Sequence, residues 1–154
     1  ANRVDGTNFG STLKAKGGDD TVYGGAFADE LHGGSGNDTI FGNNGADTIY
    51  AGHGVDTINS GGGNDTLYGE DTVNSHTKDI FVFGGSSGQD KIMDFDHNKD
   101  KIDLSWYDYS GVGSISINQN GNDTLVDFNG VSGGPSVRLV GVSATNVSAD
   151  DFLF

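Results

Sequence analysis

Aliphatic side chains recur at every ninth position over a long stretch of the chain: Leu13, Val22, Leu31, Ile40, Ile49, Ile58 and Leu67. Two places before them stand Ser11, Asp20, Asp29, Asp38, Asp47, Asp56 and Asp65, and Thr separates the pair in every unit except the one with Glu30. A nine-residue period matches neither the coiled-coil heptad nor the longer units of helical solenoids. Each unit has room for about six turn residues and a three-residue strand that sends one side chain inward. Two units then make one coil of a parallel β-solenoid, with an aliphatic entering from either side. The expected class is all-β, with regular repeats over residues 6–68.

Composition shows why such a chain needs help to fold. Gly accounts for 27 of 154 residues and Pro for one, which suits serial tight turns needing positive φ or close approach. Hydrophobic residues are only 33%, near the composition at which chains stay disordered. The net charge of −14 adds self-repulsion that disfavours compaction unless cations bind. The same charge argues against nucleic acid as a partner. No stretch is apolar enough to span a membrane, and no amino-terminal signal peptide is visible. Without Cys, disulfides and thiolate metal sites are excluded.

The units resemble the RTX nonapeptide repeat G-G-x-G-x-D-x-U-x, a calcium-binding parallel β-roll pattern. "GGSGNDTIF", Gly33 to Phe41, matches every defined position; "GNNGADTIY", "AGHGVDTIN" and "SGGGNDTLY" each miss one glycine. The earlier units are weaker, with Ser11 for Asp, Lys16 for the second Gly and Phe27 at the fourth position. The resemblance implies a right-handed roll with each calcium between two stacked turns, taking one Asp from both. It also implies carbonyls from positions one and three of the first turn and two and four of the next. Calcium favours six to eight such oxygens.

Carried onto this sequence, Asp20 and Asp38 bind with the carbonyls of Ala15, Gly17, Gly34 and Gly36. Asp29 and Asp47 use Gly24, Ala26, Asn43 and Gly45, and Asp38 and Asp56 use Gly33, Ser35, Gly52 and Gly54. Asp47 and Asp65 use Gly42, Asn44, Gly61 and Gly63. The Ser11–Asp29 pair lacks one carboxylate. Beyond Tyr68 the phase breaks at "GEDTVNSHT", then returns with Asp79 and Phe81 and again with Asp90 and Ile92. The resemblance implies about four calcium ions, or five or six if Asp56–Asp79 and Asp65–Asp90 extend the rows. The alternative is that the Asp residues form Asx-turns in a metal-free solenoid, which the repulsion within each row opposes.

After Asp79 the repeat gives way to "DIFVF", "DKIMDF", "DKIDLS", "SISINQ", "DTLVDF" and "SVRLVGV", which alternate like strands. The expected division is a roll over residues 1–83, irregular over 69–83, and a carboxy-terminal β cap over 84–154 that covers the open edge. The run from Asp94 alternates Asp94, Asp96, Asn98 and Asp100 like an EF-hand loop, but Lys99 stands where Gly is needed and Ser105 where Glu is needed. It reads as a turn between strands. Similar runs follow the repeats of serralysin-like modules.

Catalysis finds little support. "GGSSG", Gly84 to Gly88, fits a nucleophile elbow in letters, but strand-like residues follow where a helix is required, and Ser86 falls within a repeat turn. His32, His53, His76 and His97 lack zinc spacing. The outward ninth positions hold Lys14, Tyr23, His32, Phe41, Tyr50, Asn59 and Tyr68. With alternate units stacked, Tyr50 lies over His32 and Phe41 over Tyr23. Such rows can either stack on sugar rings or merely cover the flanks of the roll. Lys14 and Lys16, with Arg3, are the basic residues near the repeats.

The expectation is thus a non-catalytic, monomeric, calcium-binding module at the carboxy end of a larger secreted protein of a Gram-negative bacterium. The resemblance implies folding on extracellular calcium, export by a type I ABC exporter, and support of an upstream domain of the same chain. The terminal Asp151, Phe152, Leu153 and Phe154 look like the export signal of such proteins, or like a last strand. Mannuronan C-5 epimerases and alginate lyases carry modules of this length, so alginate binding through Lys14, Lys16, Tyr23, Phe41, Tyr50 and Tyr68 is the second reading. The terminal module of an RTX adhesin is the third.

Overall fold

A computed structural model describes residues 1–7, 9–70, 77–84, 87–106, 115–128 and 135–154. Its strands are β1 (Arg3–Asp5), β2 (Thr12–Gly17), β3 (Thr21–Tyr23), β4 (Glu30–Ser35), β5 (Thr39–Phe41), β6 (Thr48–His53), β7 (Thr57–Asn59) and β8 (Thr66–Tyr68). There follow β9 (Ile80–Val82), β10 (Gln89–Ile92), β11 (Lys101–Asp103), β12 (Ser116–Asn120), β13 (Asp123–Asp127), β14 (Ser136–Leu139) and β15 (Phe152–Leu153). Two short 3-10 turns, Ala144–Asn146 and Ala149–Asp151, precede the last strand.

The strands alternate between two sheets. One runs β1-β3-β5-β7-β9-β11-β15, the other β12-β13-β14-β10-β8-β6-β4-β2. The register follows from the period: Ile40 pairs with Ile58 in one sheet and Leu31 with Ile49 in the other, each one coil away. All pairings are parallel except β12–β13 and β13–β14, which are antiparallel. The parallel ladders continue beyond the nonapeptides through β9, β10, β11, β14 and β15, so Phe81, Ile92, Ile102, Leu139 and Phe152 prolong the same inward columns.

The inner columns are dry: Val22, Leu31, Ile40, Ile49, Ile58 and Leu67 have no solvent exposure. A fully buried residue of this size contributes about 1.5–3 kcal/mol. Toward the carboxy end phenyl rings join the aliphatic residues of the core. Phe83 packs on Phe128 at 5.4 Å and Phe81 on Phe95 at 6.3 Å. At the amino end Val4 and Leu13 are only partly covered. Among the described residues no helix is long and apolar enough to cross a membrane.

Glycine is demanded where turn stacks on turn. Gly54 has φ +134°, and a Cβ there would lie 1.9 Å from the Gly36 carbonyl oxygen of the preceding coil. Lys16 and Asn43 adopt positive φ without being glycine, at 85° and 69°. Asn43 recovers part of that cost by donating from Nδ2 to the Gly24 carbonyl at 3.1 Å.

Truncating Ile49 to Ala should lower the stability of the calcium-saturated protein by about 2–5 kcal/mol, because neighbouring coils cannot close over the cavity. Urea unfolding at fixed calcium measures it.

Candidate metal centre

The Asp residues sit where each turn re-enters a strand, and they lock one coil to the next. Each accepts, through Oδ1, the backbone N–H of the corresponding residue one coil earlier. Asp20 N donates to Asp38, Asp38 N to Asp56, Asp29 N to Asp47 and Asp47 N to Asp65, all at 2.7–2.8 Å. The ladder passes the phase break: Asp56 N donates to Asp79 across 23 residues instead of 18, and Asp65 N to Asp90 across 25. It starts at Asn2 and Ser11, whose N–H groups donate to Asp20 and Asp29. It reaches Asp100, which accepts from Asp79 N at 3.1 Å. In the sequence Asp100 belongs only to the EF-hand-like alternation of Asp94, Asp96, Asn98 and Asp100. That run is a turn between β10 and β11, closed by Lys99 N and Asp100 N donating to the Asp96 carbonyl.

A second ladder escaped the sequence reading. Asn37 N donates to Asp19 Oδ1, and Val55 N to Asn37 Oδ1, both at 2.8 Å; Gln89 N does the same to Asn64. These bonds point back toward the amino end, opposite to the Asp ladder. An Asp or Asn just before a repeat Asp, as at Asp19, Asn37 and Asn64, carries the signal, but only the coil register shows which N–H it meets.

The second oxygen of the repeat carboxylates decides what the site can hold. Oδ2 of Asp20, Asp38, Asp47, Asp65 and Asp79 is buried without a hydrogen-bond donor. Asp29 Oδ2 is satisfied by Gly25 N at 2.6 Å, and Asp90 Oδ2 lies 3.5 Å from the Ser60 hydroxyl. Two of these orphan oxygens lie beside main-chain carbonyls: a Cβ on Gly33 would be 2.5 Å from Asp38 Oδ2 and 2.6 Å from the Ala51 carbonyl oxygen, and one on Gly42 would be 2.8 Å from Asp47 Oδ2 and 2.2 Å from the Ser60 carbonyl oxygen. Each glycine opens a cradle lined by a carboxylate from its own turn and a carbonyl from the next. Among the described residues no three acidic or histidine side chains form a metal cluster, so such a cradle combines at most two carboxylates with carbonyls. An all-oxygen set of this kind suits calcium, which accepts flexible coordination, better than zinc.

The electrostatics point the same way. Burial is the main cause raising the carboxyl pKa of Asp79 to about 8, of Asp47 and Asp90 to about 7, and of Asp65 and Asp100 to about 6. Asp38 is also raised, again chiefly by burial. Two carboxylates at about 5 Å repel by roughly 3 kcal/mol at an effective dielectric near 20. A cation beside the row relieves that repulsion and favours the ionised form.

The other predicted residues are placed as follows. Tyr23 and Phe41 stack at 4.9 Å, with the Arg3 guanidinium 4.4 Å over Tyr23. His32, Tyr50 and Tyr68 form a continuous stack with centroids 4.8 and 4.7 Å apart. These rings give their faces to one another, which favours the covering of the roll's flanks over the sugar-stacking alternative. Lys14 and Lys16 lie exposed on the edge strand β2. Asp151 and Phe152 are buried in the last coil, where Asp151 caps the Ala149–Asp151 turn by accepting from Ser148 N at 2.7 Å; Leu153 and Phe154 are exposed. Ser86 and His76 lie outside the described residues.

Coiled, calcium-adapted repeats of this kind define a class. The family model for the RTX calcium-binding nonapeptide repeat matches residues 1–31 and 32–67, so this part of the chain is similar to that repeat. Among solved structures, the AlgE6R2 subunit of the Azotobacter vinelandii mannuronan C5-epimerase aligns with TM-score 0.64 at 27% identity, covering 86% of this chain and 91% of that one. The AlgE6R3 subunit of the same epimerase aligns at 25% identity and TM-score 0.47, covering 91% and 80%. An extracellular lipase, LipA of Serratia marcescens, aligns at 15% identity and TM-score 0.46, covering 96% of this chain and 40% of the lipase. No curated protein matches in sequence.

Because the folded carboxyls hold protons more tightly than unfolded Asp, folding without metal takes up protons. The metal-free fold is therefore most favoured below about pH 4 and loses that contribution as pH rises toward 8. Far-UV circular dichroism in calcium-stripped buffer should show β signal growing as pH falls through this window, while calcium affinity weakens.

Proposed function

We propose that this chain is a calcium-folded, non-catalytic module of a larger secreted bacterial protein. The observation that carries this reading is the buried, donor-less Oδ2 of Asp38 and of Asp47, each beside a carbonyl of the neighbouring turn. Calcium between stacked turns would neutralise the Asp rows and satisfy those oxygens. The pairs Asp20–Asp38, Asp29–Asp47, Asp38–Asp56 and Asp47–Asp65 would hold it, with Asp56–Asp79 and Asp65–Asp90 extending the rows. Where calcium is scarce, charge repulsion keeps the chain open; where it is plentiful, binding free energy becomes folding free energy. This supports a role in type I export, since folding outside the cell opposes return and helps an upstream domain to fold. The terminal Asp151–Phe154 segment fits the same scheme. Its Phe152 pairs with Ile102, so an exporter would read the segment only before the last coil closes.

Calcium, but not magnesium, should produce a cooperative gain of β signal that EGTA reverses. Asp38→Asn should shift the calcium midpoint upward severalfold. A chain already folded without metal, and unchanged by calcium, would sink this reading.

A second reading, binding of an anionic polysaccharide such as alginate, is favoured by one surface. On the outer face of the β2-to-β14 sheet, Lys14 continues into His32, Tyr50 and Tyr68, and Lys91 stands beside Arg138. Lys91 is exposed, and Arg138 reaches Asp123 at 3.7 Å. The sequence reading missed these two because they fall outside the nonapeptides and meet only through the β10–β14 pairing. The aromatic rows would then offer ring edges and hydroxyls, with charge supplied by the lysines and arginine. Titration with mannuronate oligomers should give weak, salt-sensitive binding that Lys91→Glu reduces severalfold. No binding at low salt to the calcium-loaded module would exclude it.

A further inference from the structure

The turn after β8 departs from the repeat, and the departure brings together groups that the nonapeptide rule does not place. Glu70 Oε1 accepts from Thr77 N at 2.7 Å and from the Thr77 hydroxyl, so this side chain ties Glu70 to Thr77. From the next coil, Asp94 takes both N–H groups of the bend, Gly69 N at 3.0 Å and Glu70 N at 2.9 Å. Asp79, fully buried, aims its Oδ2 at the same bend: a Cβ on Gly69 would lie 2.5 Å from it. Glu70 Oε2 and Asp79 Oδ2 are both buried without a hydrogen-bond donor, and Glu70 is near enough for its charge to act on Asp79. No ion pair among the described residues involves Glu70, Asp79 or Asp94.

Burying two such oxygens without a donor is costly unless a cation joins them. The next Asp of the ladder does not offer a spare oxygen, because Asp100 accepts from Asp79 N and, at 2.8 Å, from Asp96 N. Glu70 stands in its place. The geometry points to a calcium site at the Gly69–Glu70 bend, held by the carboxylates of Asp79 and Glu70, outside the paired-Asp sites of the repeats. Its second carboxylate comes from the chain just after β8 and is one methylene longer than Asp. Asp94 positions the bend by holding its two amides. Calcium fits better than magnesium, whose near-ideal octahedron tolerates such an irregular donor set poorly. The ion would fasten the wide turn to the coil and carry the roll across the break in the repeat. This rests on the calcium reading of the rows.

Native mass spectrometry of the whole chain with added calcium, alongside circular dichroism, tests it. Glu70→Gln keeps an acceptor for Thr77 N, so a purely structural Glu70 predicts an unchanged number of ions. The site predicts one ion fewer with the β signal retained. Thr77→Val, which removes only the hydroxyl donor, should keep the wild-type number. If Glu70→Gln does not fold, trace manganese added to the wild-type protein should broaden the Glu70 and Thr77 amide signals. Wild-type stoichiometry in Glu70→Gln, or sharp Glu70 and Thr77 amides beside broadened repeat amides, overturns this site alone. Absence of calcium binding by the wild type overturns the broader reading as well.

Discussion

The coils of the repeat region hang on the bond from one Asp backbone N–H to the carboxylate Oδ1 of the next Asp in its row. It uses one oxygen of a carboxylate and buries the other, as at Asp38 and Asp47. The bond fixes the stacking distance at one strand spacing, which also sets carboxylates beside one another along each row. Thus the interaction that gives the roll its register creates the charge problem that metal would relieve. Stability and ligand demand come from the same side chain.

The apolar core alone could not carry that burden. It is a thin column, one aliphatic per unit, and it is incompletely covered at Val4 and Leu13. The carboxy-terminal coils are different. There Phe81, Phe83, Phe95 and Phe128 give more apolar area per coil, the Asp rows end, and an antiparallel β12–β13 hairpin joins the sheet. The chain thereby passes from a section organised by carboxylates to one organised by aromatic packing. Between them lies the break after Tyr68, where the register survives through longer loops and where Glu70, Asp79 and Asp94 gather.

Much of the repeat region was legible because its signals are local and periodic. Asp and aliphatic positions recur at fixed intervals, so stacking every second unit follows from counting, and Asp79 and Asp90 could be aligned across the break. The aromatic rows followed from the same count, but their chemistry did not: only the ring distances show Tyr50 lying face to face with His32 and Tyr68. Asp100 was hidden by a competing pattern, because alternating acids resemble a metal loop whatever coil they belong to. Lys91 and Arg138 are far apart in sequence and share no motif.

The sequence by itself determined the solenoid, its nine-residue unit and the carboxylate rows, since a period read over many units leaves little freedom in which residues stack. The tertiary structure decided which oxygens remain without donors. It distinguished Asp47 from Asp29, whose second oxygen a local Gly25 amide satisfies. It also decided that the parallel coils continue through β11 and β15, and that Glu70 turns inward. Those outcomes depend on where single N–H groups point after the chain has closed on itself, and no residue pattern encodes that direction.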